Sequence, residues 1–82
     1  MSADLCNTLR QWIRDHLLNG QAPDGFDDDT DLIAAGVMDS LAIMRTLAYL
    51  EGTHGLTIGD GDIVPEHFAS VRALAAFVAA KR

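Results

Sequence analysis

The sequence predicts an all-α fold, a four-helix bundle with a long first loop and a short third helix. Three observations predict it. Apolar residues recur at helical spacing in stretches near the start, the middle and the end of the chain. The long stretch between the first two is rich in aspartate and carries prolyl and glycyl breaks, as a loop does. The length of 82 residues suffices for one compact domain, residues 1–82, around one small core.

The first helix is expected over about residues 3–18. Ser2 can cap it, and Asp4 sits in its first turn, where negative charge suits the helix dipole. Leu5, Leu9, Trp12 and His16 share one stripe, with Ile13 and Leu17 beside it. Asn19-Gly20 ends the helix.

Gln21 to Asp39 is a loop containing Pro23, Gly25, Gly36 and the run Asp27-Asp28-Asp29-Thr30-Asp31. Loops of this length in compact domains are usually either functional or a sign of a missed element. Its second half carries Leu32, Ile33, Val37 and Met38 and is expected to pack on the core. The acidic run is expected to be a solvated, self-repelling cluster that salt, divalent cations or mild acid would stabilise.

A second helix is expected over 40–53, with Gly52 or Gly55 to end it. Leu56 and Ile58 make a short extended link, and Asp60-Gly61-Asp62 a turn. Pro65 opens a short third helix, 65–68. Ser70 caps a last helix, 71–80, with Val71, Leu74, Ala75 and Val78 inward and Lys81 and Arg82 at its negative end.

Composition excludes several classes of function. Twelve acidic residues face six basic ones, for a formal net charge of −6, the opposite of what nucleic-acid binding needs. One cysteine, Cys6, allows no disulfide within the chain and fits a reducing cytoplasm, where it is expected to be a small buried apolar residue. No signal peptide is expected, since Met1 to Leu5 has no basic region followed by an apolar stretch, and the longest apolar run, Ala73 to Ala80, is too short to span a bilayer. A cytoplasmic monomer without membrane or nucleic-acid partners is expected.

Chemistry concentrates at Gly36-Val37-Met38-Asp39-Ser40-Leu41. On a wheel of about 100° per residue, Ile43, Leu47, Leu50 and His54 gather on one side of the second helix. Leu41, Arg45, Ala48, Tyr49 and Gly52 take the other, with Met44 at its edge. Ser40 lies at the N-terminal tip, within reach of another enzyme, where free backbone N–H groups favour a phosphate. Leu41 points its large apolar side chain outward beside the serine. Taken alone, Asp-Ser-Leu also reads as an ordinary helix cap.

This segment resembles the attachment motif of acyl and peptidyl (aminoacyl) carrier proteins. The likeness continues through Asp31-Leu32 before the motif, Leu47-Ala48-Tyr49-Leu50-Glu51, Gly55-Leu56-Thr57-Ile58 and the stretch from Asp62 to Val71, so it covers about residues 5 to 80. It implies the acyl-carrier type of four-helix bundle, with a 4′-phosphopantetheine arm from coenzyme A on Ser40 and Asp39 positioning the phosphopantetheinyl transferase and its magnesium ion. The chain would be a free-standing, non-catalytic carrier of an acyl or aminoacyl thioester, and would itself hold no metal. Its partners would be that transferase, an acyl- or aminoacyl-activating ligase and downstream acyl-transferring or modifying enzymes, met through Leu41, Met44, Arg45 and Tyr49. Many fatty-acid carriers have an acidic residue where this chain has Arg45, and commonly another where it has Gly52. Arginine at that position looks more like the peptidyl or aminoacyl carriers.

Two alternatives stand beside this expectation. One is an acyl carrier of a fatty-acid or polyketide synthase. The other is an unmodified acidic helical adaptor using Leu41, Met44 and Tyr49. Asp27, Asp29 and Asp31 fit the first positions of a calcium loop, but Leu32 and Met38 stand where it needs glycine and glutamate. His16, His54 and His67 lack metal-ligand spacing, and no serine–histidine–acid set or glycine-rich phosphate loop can be placed.

Overall fold

In the computed structural model, which describes residues 3–81, helix α1 spans Ala3–His16, α2 Ser40–Thr53, α3 Pro65–Phe68 and α4 Val71–Lys81. A single 3-10 turn, Asp60–Asp62, precedes α3, and no strand occurs among the described residues. The chain therefore has the four-helix carrier-type architecture. The expected caps at Ser2 and Arg82 lie outside the described residues.

The core is one cluster. α1 contributes Leu5, Cys6, Leu9 and Ile13; α2 contributes Ala42, Leu47 and Leu50; Phe68 comes from α3, and Val71, Leu74, Ala75, Phe77 and Val78 from α4. Cys6 is buried with them. The inner face of α1 is rotated from the predicted stripe. Ile13 is fully buried, Trp12 half-buried and His16 exposed. Both stripes have helical spacing, and burial goes to the one that keeps the polar imidazole in water.

α1 ends two residues earlier than expected. Leu17 and Leu18 both donate backbone N–H groups to the Ile13 carbonyl, at 2.9 and 3.0 Å, and the chain leaves through Asn19 at a φ of 52°. Ser70 caps α4 as expected, its Oγ accepting the Ala73 N–H at 3.0 Å. His54 is the C-cap of α2, and Gly55, at a φ of 68°, reverses the chain so that the Leu56 N–H returns to the Leu50 carbonyl. A positive φ of this kind is cheap only for glycine.

The long loop is tied down at two points. The Leu32 N–H donates to the Ala69 carbonyl at 2.7 Å, and the Arg72 N–H donates to the Asp28 carbonyl at 2.9 Å. Leu32 itself is fully buried. Both ties reach the α3–α4 junction, so the loop is a fixed strap across that end of the bundle.

The acidic run within it is not the free, self-repelling cluster expected. Asp28 pairs with Arg10, and Asp29 pairs with Arg72 at 2.6 Å. Asp27 Oδ1 accepts the Asp29 N–H and the Thr30 hydroxyl, and Asp31 Oδ1 accepts the Ile33 and Ala34 N–H groups. Each acid has a donor to satisfy, which sequence crowding alone conceals. The Arg72 guanidinium beside Asp29 holds that carboxyl below the usual range. Lys81 and the Gly59 N–H do the same for Asp62.

These shifts reverse the expected response to acid. A carboxyl with a depressed folded-state pKa stabilises the fold above its unfolded pKa of about 3.9, and that contribution is lost as pH falls through the lower folded value. Acidification below about pH 4 should therefore lower the melting temperature, not raise it. Melts between pH 6 and pH 3 check this, and Arg72→Gln should flatten the acid limb. A melting temperature that climbs on acidification would restore the repulsion account.

Candidate functional site

The approach to α2 is a tight turn. The Val37 and Met38 N–H groups both donate to the Leu32 carbonyl, at 2.9 and 3.0 Å, and Gly36 sits between at a φ of 76°. This gives the glycine of the motif a local reason, since a side chain there would be strained. Met38 is buried beneath the turn and anchors it.

Asp39 is the N-cap of α2. Its backbone is extended, and its Oδ1 accepts the Ala42 N–H at 2.8 Å. Ser40 is the first helical residue and is exposed. The serine is thus not the cap, and among the described residues no hydrogen bond holds its hydroxyl. Ser70, by contrast, is half-buried and spends its hydroxyl oxygen on the α4 cap. Leu41 and Met44 project beyond Ser40, 70% and 62% exposed, as the wheel predicts. Arg45 is exposed on the same side.

Tyr49 departs from the expected partner face. It is half-buried and stacked on Trp12, with ring centroids 4.4 Å apart. Its hydroxyl meets His54 Nε2 at 2.9 Å, and burial pushes its phenol pKa up. The cause is the rotation of α1, which leaves Trp12 at the rim, where it covers the flank of α2. His54, expected inward, is half-buried at the edge of this aromatic stack. The inward face of α2 is instead set by Ala42, Thr46, Leu47 and Leu50. Thr46 is fully buried and satisfies its hydroxyl on the Ala42 carbonyl at 2.8 Å.

A cleft of about 290 Å³ opens at the start of α2, lined by Asp39 and Leu41 on either side of Ser40 in the chain but not by Ser40 itself. One wall is Leu17 and Leu18, just past α1, and the end is the turn from Ala35 to Val37. The other wall is α2, through Asp39, Leu41, Ala42 and Arg45. Helical spacing identifies the α2 wall but not the cleft. The signal that was present is the pair Leu17-Leu18, two adjacent leucines that one helical stripe cannot both bury.

The site therefore presents an exposed hydroxyl at a helix start fixed by its own cap, with the first-turn N–H groups nearby and a cleft alongside. These features fit a phosphodiester-linked arm: the hydroxyl is accessible, and a helix start favours phosphate. Among the described residues no group of metal-ligating side chains comes together, and no helix is long and apolar enough to cross a membrane.

Comparison with known proteins agrees with this geometry. A family model described as a phosphopantetheine attachment site matches residues 7–78. A chain in a crystal structure described as that of an FAD-dependent dehydrogenase is 37% identical, with a TM-score of 0.75 over 85% of this chain and 97% of that one. No curated protein is significantly similar. A covalent 4′-phosphopantetheine goes with this family, which displaces the unmodified adaptor. With the attachment domain matched from residue 7 to residue 78 on a four-helix fold, the chain belongs to the phosphopantetheine-binding carrier family.

Proposed function

We propose that Ser40 bears the arm and that the chain presents an aminoacyl or short acyl group to several enzymes in turn, in the cytoplasm. The observation that carries this reading is the exposed Ser40 hydroxyl at the first residue of α2, beside the Asp39 cap. When bound, the arm supplies a thiol that holds the cargo as a thioester, whose carbonyl stays reactive toward nucleophiles. The chain's own residues position it. Asp39 fixes the helix start through Ala42 and leaves its second oxygen open toward the transferase and its magnesium ion. Leu41 and Met44 offer apolar contact next to the arm.

Arg45 in place of an acidic residue favours peptidyl or aminoacyl biosynthesis over a fatty-acid synthase partner. The partners are a phosphopantetheinyl transferase, an activating ligase and downstream enzymes. The 37% identical chain from a crystal structure described as an FAD-dependent dehydrogenase supports a flavin dehydrogenase as one downstream partner.

Coenzyme A and a promiscuous phosphopantetheinyl transferase test the reading. The intact mass should rise by one arm, and peptide mapping should place it on the segment containing Ser40. An unchanged mass, or an arm on Ser2 or Ser70, would overturn it. The partner face has its own expected outcome. Leu41→Ala and Met44→Ala should each weaken loading by the cognate ligase by about 1–2 kcal/mol where the contact is fully desolvated. Loading kinetics on the holo variants measure it, and rates equal to wild type would remove both residues from the interface.

A further inference from the structure

The side chains that carry reactive nitrogen or sulfur are kept away from Ser40. The chain has one lysine and one cysteine, and its other basic residues are all arginine. The Cys6 thiol is buried in the core. Lys81 stands in the last turn of α4, where its Nζ lies 2.6 Å from Asp62 in the 3-10 turn. That turn follows α2, whose 14 residues lead about 20 Å away from Ser40 at about 1.5 Å per residue. Beside Ser40 in the chain, or within a turn or so of it, stand Val37, Asp39, Leu41, Met44 and Arg45, and none offers an amine, a thiol or an imidazole. The next hydroxyls along α2 are engaged, Thr46 on the Ala42 carbonyl and Tyr49 with His54 Nε2. His16, at the end of α1, has its ring stacked on Trp12 with centroids 5.5 Å apart. The cation near Ser40 is a guanidinium, which stays protonated and has no lone pair to attack a carbonyl.

A thioester held on a flexible arm offers its carbonyl to every nucleophile within reach, and tethering raises the effective concentration of any such group on the same chain. An amine there would attack the carbonyl carbon. A C–N bond would form, the C–S bond would break, and the thiol would leave with the proton that the amine gives up. The cargo would end as an amide on the chain, lost to every partner. A thiol would take the cargo as a second thioester in the same way. Hydroxyls are weak nucleophiles without an adjacent base. We infer that the surface within reach of the arm is cleared of nucleophiles, with arginine rather than lysine as its cation at position 45, so that cargo leaves only to a partner enzyme or to water. Arg45 thereby supplies positive charge for partner contact without the reactivity of an amine. This deepens the carrier reading and rests on Ser40 as the attachment residue.

The test loads an isovaleryl thioester, which has no amine of its own, from isovaleryl coenzyme A with a promiscuous phosphopantetheinyl transferase. The proteins are wild type, Arg45→Lys, Arg45→Gln, Ala80→Lys and His16→Ala. Positions 16, 45 and 80 are exposed, so the variants should melt with the wild type. After incubation in mildly alkaline buffer, hydroxylamine strips thioesters and leaves amides. Intact mass and peptide mapping then show what stays on the chain. Wild type and Arg45→Gln should keep nothing, because their cargo leaves only to water. Arg45→Lys should keep the isovaleryl group on the segment containing position 45, at a rate independent of protein concentration. That rate should be at least about ten-fold above Ala80→Lys, whose new amine lies at the far end of α4. His16→Ala should lose cargo to water at the wild-type rate. Cargo on any wild-type side chain, slower loss from His16→Ala, or an Arg45→Lys protein as inert as the wild type would overturn the inference and leave the carrier reading intact. An arm that never reaches Ser40 shows in the mass before incubation, and it overturns both.

Discussion

Ser40→Ala is expected to remain at its unmodified mass under conditions that convert the wild type fully, while melting at the same temperature. The two halves of this result have separate causes. Loss of the arm follows because the reacting oxygen is gone, and neither other serine replaces it. Ser70 is engaged in the α4 cap, and Ser2 lies far from the motif in sequence. Unchanged stability follows because Asp39, not Ser40, accepts the first-turn N–H of α2. An exposed side chain without a hydrogen-bond duty contributes within about 0.5 kcal/mol. Asp39→Ala gives the contrast, with an expected loss of about 0.5–2 kcal/mol from the missing cap. Intact mass and thermal melts on the two variants check both halves. A modified Ser40→Ala protein would place the attachment elsewhere.

Leu32→Ala should produce the largest loss of stability outside the helices, about 2–5 kcal/mol, because a fully buried leucine leaves a cavity the fixed strap cannot close. That is a large share of the total stability expected for a small domain, about 5–15 kcal/mol. The neighbouring Ile33, 41% exposed, should cost far less when cut to alanine. Urea midpoints compare the two. The damage should also reach function, because the Leu32 carbonyl accepts the Val37 and Met38 N–H groups that aim the chain into α2. Arm transfer to an intact Ser40 should slow accordingly. Equal midpoints for Leu32→Ala and wild type would show that the loop is not part of the core.

The helices were legible because their apolar spacing and caps act locally. α2 and α3 fall on the expected residues, and α4 extends one residue beyond expectation. The exposed Ser40, Leu41 and Met44 were legible for the same reason, since helix position alone sets them outward. What spacing could not supply was the rotation of one helix against another. The stripe through Trp12 and His16 and the stripe through Cys6 and Ile13 are equally periodic, and what separates them is the polarity of His16 together with packing against α4 and the core. That one ambiguity leaves the burial of Tyr49 illegible, because it depends on where Trp12 lands. The pairing of the aspartate run is illegible in the sequence for a related reason. Its partners Arg10 and Arg72 are 18 and 43 residues away in sequence, and spacing within the run holds no trace of them.

The double tie between the long loop and the α3–α4 junction has a consequence for how the domain breathes. The Leu32 and Arg72 amides sit in hydrogen bonds that cross from one segment to the other, so neither can open while the two segments stay docked. In hydrogen exchange, two such amides should share one opening free energy, as members of a single cooperative unit. The N-terminal tip of α2 is held differently, by the Asp39 side chain in its own turn. Its first amides should open independently and exchange sooner. The first turn of α2 is therefore expected to open on its own, without opening the strap and the α3–α4 end, which earlier exchange of its amides would show.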